Sequence, residues 1–132
     1  MKDRGTASLE LALGIGMLVV PAVLAVVSFA PWLEARAFVR SAAAEGARAA
    51  VLAADDPAGA AVRAVQEMAS GRGYESVAVT PCGGACSLER GAVIEVEVSM
   101  DVPLLTTPWG DVGGVEATAV HRELVDAYRS LP

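Results

Sequence analysis

The sequence predicts an α+β chain. One long N-terminal helix crosses a membrane and continues outward, a second short helix follows, and a small antiparallel sheet of about three strands completes the fold. Three observations carry this. Leu11–Leu33 is a run of 23 residues without a charged side chain, mostly Leu, Val, Ala and Ile. Residues 34–54 place their charges so that one sector of a helix stays free. Residues 92–102 alternate apolar and polar with the period of a half-buried strand.

The apolar run comes first. As a helix it extends roughly 34 Å at about 1.5 Å per residue, enough to cross a hydrocarbon core of about 30 Å with some tilt. It is too long for the apolar region of an ordinary secretory signal. An Ala35-Arg36-Ala37 sequence could serve a signal peptidase, which would leave a chain starting at Phe38, but a retained anchor fits the long span better. Gly14 and Gly16 permit close helix approach without forming a GxxxG spacing. Pro21 and Pro31 each remove a backbone donor and are expected to kink or loosen the helix. Trp32 stands where an interfacial aromatic belongs.

Beyond Leu33 the helix is expected to continue to Ala54 with an uncharged stripe of Ala35, Phe38, Val39, Ala42, Gly46, Ala49, Ala50 and Ala53. Its small side chains suit close packing on the domain's own sheet or on another subunit. Glu45 and Arg48 are spaced to pair. Asp56 and Pro57 form an N-cap and first turn for a second helix reaching about Ser70, with Ala61, Val62, Val65, Met68 and Ala69 inward and Gly71 and Gly73 ending it. Val77 and Val79 then begin a strand. The strong strand turns Ile94, Val96, Val98 and Met100 inward, against Glu95, Glu97, Ser99 and Asp101. These two strands form a hairpin. Pro103–Gly114 reads as a turn-rich connection in which Leu104, Leu105 and Trp109 are either a lid on a small core or a subunit contact. Val115, Ala117 and Ala119 start a third strand.

Composition excludes several functions. From Ala50 onward there are 12 acids against 5 bases, a balance of −7. That argues against sequence-independent nucleic-acid binding and against docking on anionic lipid. There is one His, the only lysine is Lys2, and neither a G-x-S-x-G elbow nor a phosphate loop occurs. No enzyme activity, cofactor or metal site is predicted. Glu95 and Glu97 share a strand face, which reads as a solvated face rather than a catalytic carboxylate pair. Cys82 and Cys86 flank three residues in the first hairpin loop. A local disulfide is the simplest use of them; free thiols or an intermolecular bridge are the alternatives. A disulfide would need an oxidising compartment. The basic residues near the span are balanced, Lys2 and Arg4 before it, Arg36 and Arg40 after it. With the cysteines beyond the span, the N-terminus is placed in the cytoplasm and residues 34–132 outside it.

Glu10 is the odd residue, a carboxylate at the start of an apolar helix. Such a group either sits at headgroup level or marks function. Its surroundings are Gly5-Thr6-Ala7-Ser8-Leu9-Glu10, after the charged leader of residues 1–5 and directly before the span. This resembles the processing site of type IV prepilins and pseudopilins. Together with A-A-A-E-G-A-R-A-A at residues 42–50, it resembles the TadE/TadG-like proteins of the tight-adherence (Tad) pilus over about residues 3–54. An aromatic residue common in parts of that family is replaced here by Thr6 and Leu11. The resemblance implies cleavage after Gly5 by a prepilin peptidase, Thr6 as the new N-terminus, and Glu10 acting in assembly. It implies three parts: leader 1–5, membrane and pilin-like helix 6–33, and extracytoplasmic domain 34–132. The implied function is that of a minor pilin or pseudopilin whose partners are other pilin subunits and the assembly machinery, in the membrane or in an extracellular pilus. The domain would supply bulk, contacts or an adhesive tip. The alternative is an uncleaved, membrane-anchored extracytoplasmic binding domain unrelated to pili.

Overall fold

A computed structural model describes residues 6–84 and 86–126. The order is helix α1 (Thr6–Leu52), helix α2 (Pro57–Gly71), strand β1 (Val77–Pro81), a 3-10 turn at Cys82–Gly84, and strands β2 (Val93–Thr107) and β3 (Gly110–Leu124). The α+β architecture with a long first helix, a short second one and three antiparallel strands is the predicted one.

α1 runs 47 residues and continues through Pro21 and Pro31, about 70 Å of helix. Its halves differ because their sequences do. The N-terminal half is apolar all round. The C-terminal half is amphipathic and buries Ala35, Phe38, Val39, Ala42, Ala43, Ala47 and Ala50. The predicted stripe is therefore the packed face, widened by Ala43 and Ala47. Ala53 lies past the end of α1 and is half-buried. Glu45 and Arg48 do pair, at 3.6 Å and largely exposed, where such a pair is worth a few tenths of a kcal/mol.

α2 starts as its capping residues dictate. The Asp56 carboxylate accepts a hydrogen bond from the Gly59 backbone N–H at 2.8 Å, satisfying one of the helix's unpaired first-turn donors. Ala61, Val65 and Ala69 are buried, with Val62 and Met68 half-buried beside them. Past its end Gly73 takes φ +75, and the Tyr74 N–H returns to the Ala69 carbonyl at 2.9 Å. That reversal sets the Tyr74 ring 4.7 Å from Phe38.

The sheet order is β1-β2-β3. Both helices cover one face. Ile94, Val96, Val98, Met100 and Val102 of β2 and Ala117 of β3 are buried there, and Val79 lies opposite Val98 in register. The other face carries Glu95, Glu97 and Arg122. Arg122 Nε donates to the Glu95 carboxylate directly across the strands, so Glu95 is ion-paired on a charged surface. After β3 the backbone pairing continues for one exchange between Val125 and residues 91–92, which buries Val125 completely.

The segment 103–114 differs from the expectation of a turn-rich connection. β2 and β3 stay paired through it to Thr107↔Gly110, so only the turn around Pro108 and Trp109 interrupts the ribbon. The reason is local. β1 pairs with β2 only as far as Met100, so Pro103 sits on a stretch of β2 with an open edge, where proline is tolerated. Trp109 is 93% exposed and does not cover the core, which excludes it as a lid. The side chain of Leu105 lies outside the described set.

α1 approaches the sheet closely because its packed face is small. A Cβ on Gly46 would stand 3.0 Å from Val65 Cγ2 and 3.3 Å from Val96 Cγ1. Gly46→Val adds two further methyls where the Cβ is already crowded. We expect a loss of about 1–3 kcal/mol from overpacking, offset by under about 0.5 kcal/mol from removing a helical glycine. Thermal unfolding of the full chain in detergent measures it; an unchanged midpoint would contradict the close approach.

Candidate functional site

The most unusual surface is the N-terminal half of α1. A helix apolar on all sides must be covered by something. Here the most apolar 18-residue window has none of its residues buried within the fold, and the helix is long and apolar enough to cross a membrane. Met17, Leu18 and Val26 are more than 70% exposed. Roughly 34 Å of helix about 10 Å wide presents on the order of 1,000 Å², more than the largest apolar patch of an ordinary soluble monomer.

At the start of this rod stands Glu10, exposed. Thr6 is the first residue of α1, its side chain outside the described set, and Gly5 lies outside the described residues. Thr6 and Glu10 are four apart on one helix, so they share a face about 6 Å apart along the axis. Residues 11–33 supply no cation to answer Glu10, so inside an apolar environment its partner comes from the segment before the span or from another molecule.

Where the rod leaves the domain, the hairpin comes down beside it. Ser28, Phe29 and Trp32 of α1 and Leu104 and Val115 of the hairpin line an apolar groove of about 320 Å³. Trp32 is half-buried there and packs on the core. Arg36 lies over its ring at 5.1 Å, and its indole Nε1 is buried without a hydrogen-bond partner among the described residues. Sequence reading placed Trp32 as an interfacial aromatic but gave no sign that Leu104 and Val115 would meet it.

Cys82 and Cys86 form a disulfide with a Cα–Cα distance of 5.0 Å. It closes the β1–β2 loop around Gly83, which has φ +57. A ring this short constrains the unfolded chain by about 2 kcal/mol, the low end of the usual range. β2 starts beside this loop and ends at the hairpin turn, so the disulfide and Trp109 occupy opposite ends of the sheet. Among the described residues no three His, Cys, Asp or Glu side chains gather as a metal site. His121 Nε2 lies 3.2 Å from Glu123 Oε2 on the same strand.

The molecule thus concentrates its unsatisfied surface at one end: an uncovered apolar rod, a carboxylate at its tip, and a hairpin reaching back along it. Comparison with family models, with curated proteins and with solved structures finds no match to this chain.

Proposed function

We propose that this chain is a non-catalytic, membrane-anchored pilin-like subunit, a minor pilin or pseudopilin of a Tad-type filament, processed after Gly5. One arrangement carries the reading. Gly5 and Glu10 stand just before an apolar stretch of helix that none of the described residues covers, and the same helix runs unbroken into the domain as its packed scaffold. A subunit stored in a membrane and then moved into a filament needs such a helix. It must be content in lipid first and against neighbouring helices later. The Cys82–Cys86 bridge supports placing residues 34–132 in an oxidising, extracytoplasmic compartment, with the N-terminus in the cytoplasm. In the filament, the amine freed at Thr6 of one subunit is the cation that Glu10 of another requires. Prepilin peptidase, other pilin subunits and the assembly machinery are the partners.

The N-terminus and intact mass of the protein purified from its native host test this. A chain that begins at Thr6 is the expected result. A chain that still begins at Met1 leaves a fixed anchor carrying a binding domain. A chain that begins at Phe38 removes the membrane helix and both readings with it.

A further inference from the structure

The β2–β3 ribbon outruns the sheet. The pairing with β1 stops at Met100, opposite the first residue of β1, yet β2 and β3 remain paired as far as Thr107. Two contacts fix where this ribbon goes. Val96 lies against α1 at Gly46. Leu104 lies against α1 at Phe29 and Trp32. β2 therefore runs antiparallel to α1, toward its apolar end. Eight strand residues cover about 26 Å and the fourteen helical residues from Gly46 to Trp32 about 21 Å, so the two elements stay roughly in step.

Charge disappears from both elements at one level. On α1 the last charged residues before the apolar rod are Arg36 and Glu34. On the ribbon the last charged pair is Asp101 opposite Glu116, which lies about 10 Å before Leu104 along the strand, alongside Arg36. Below that level residues 102–110 carry no charge, and neither do residues 112–115. In a domain this acidic that is a conspicuous gap. A lipid interface imposes one plane on every element that meets it; a protein partner does not require two separate elements to lose charge together. The turn then continues about 10 Å past Leu104, which sets it beside residues 22–25 of α1. A hydrocarbon core takes about twenty helical residues. Counted from Thr6 it ends near Ala25, level with the turn; counted from Glu10 it ends near Phe29, with the turn inside the outer leaflet. Asp111, the single charge near the tip, favours the first count; that count sets Glu10 about 6 Å inside the opposite boundary, where a carboxylate costs less than at the centre, and lifts Trp32 to the outer edge of the headgroup layer.

We propose that the Thr107–Gly110 turn rests in the interface of the bilayer that α1 spans, with Trp109 as its anchor. Trp109 is almost fully exposed and is the residue type enriched at that depth. The hairpin and α1 then form two feet on the membrane, which fixes the tilt of the domain above it. This rests on the anchoring part of the proposed function and is independent of processing and of filaments.

The chain has two tryptophans, so Trp32→Phe makes Trp109 the sole indole reporter. The full-length variant is reconstituted in phosphatidylcholine vesicles, a neutral surface that does not repel an acidic domain. Flotation reports anchoring. Lipids brominated near the carbonyl and aqueous iodide report the surroundings of Trp109. We expect flotation, loss of at least half of the Trp109 emission to the brominated lipid, and weak quenching by iodide. Flotation with strong iodide quenching and none by lipid overturns the inference and leaves the anchor standing. Flotation with neither quencher effective means that a second copy covers the turn, which also overturns it. Failure to float removes the anchor and this inference together. Should Trp32→Phe fail to fold, the difference in emission between the wild-type chain and Trp109→Phe gives the same readout.

Discussion

Phe38→Ala is expected to destabilise the domain by about 3–5 kcal/mol, the usual cost of emptying a fully buried aromatic site. A domain of this size is stable by about 5–15 kcal/mol, so the loss takes roughly a fifth of it at least. Phe38 has no exposed surface. It packs against Tyr74 at 4.7 Å with the rings tilted by 52°, and the Arg72 guanidinium lies 5.6 Å from its ring centre. It therefore joins α1 to the corner between α2 and β1. The small neighbours Ala35, Ala42 and Ala69 cannot reach into the space it would vacate. Phe38→Leu keeps most of the apolar volume and should lose less than half as much. Replacing Tyr74 as well tests the mechanism: the ring pair should show a coupling of about 0.5–1.5 kcal/mol. The measurement is thermal unfolding in detergent combined with limited proteolysis in membranes. Phe38→Ala protein should still be recovered with the membrane, because the apolar rod is untouched, while its domain becomes protease-sensitive near 37 °C. Unchanged protease resistance would mean that Phe38 is not the keystone its burial suggests.

Phe38 also shows why this fold was legible. On α1 the charges at residues 34, 36, 40, 45 and 48 mark the wet side, and the helical period then assigns Ala35, Phe38, Val39, Ala42 and Ala50 to the other. Ala43 and Ala47 escaped because alanine is the same letter on both sides of an alanine-rich helix and offers no contrast. Ile94–Met100 of β2 were legible from strict alternation. The ribbon beyond them was not. Pro103, Pro108 and the glycines at 110, 113 and 114 spell turns in a local reading, and only the late start of β1, a fact about another strand, frees that stretch to accept a proline. Val125 was invisible for a related reason: a single apolar residue past the strand has no pattern. The candidate surfaces divide in the same way. Glu10 announces itself because an isolated carboxylate in an apolar run is a local oddity. The meeting of Trp32 with Leu104 and Val115 is set by the direction of β2 along α1, which no window of sequence contains.

That division has a physical consequence for how the chain behaves. The domain's core is complete without residues 10–31, since among the described residues no buried core residue lies before Ala35. The rod's core is supplied by its surroundings, whichever they are. Stability of the domain and placement of the rod are therefore separable. Substitutions in one should leave the other nearly unaffected, apart from the contact at Trp32.

Glu10→Ala exploits this separation and carries the largest expected functional effect. Glu10 is exposed and lies outside the core formed by the described residues, so folding and disulfide formation should be unchanged. Removing a carboxylate from the start of the span makes lipid insertion equal or easier, because an ionisable group there costs up to a few kcal/mol. In an assembled filament the sign reverses. If Glu10 answers the Thr6 amine of a neighbour, alanine leaves that cation unpaired among apolar helices, a penalty of about 3–5 kcal/mol. At about 1.4 kcal/mol per tenfold, this predicts a loss of incorporation on the order of 10²- to several thousand-fold. Glu10→Gln separates charge from shape: it keeps the size and the hydrogen-bonding oxygen but not the charge, and should assemble nearly as poorly as alanine. Quantifying the protein in sheared filaments against the membrane fraction decides the matter. Depletion from filaments with normal membrane levels means that the carboxylate acts between subunits. Equal levels in both fractions for Glu10→Ala and the wild-type chain would assign Glu10 to the headgroup layer, where a carboxylate is merely tolerated. The rod would then be a permanent anchor for the domain above it.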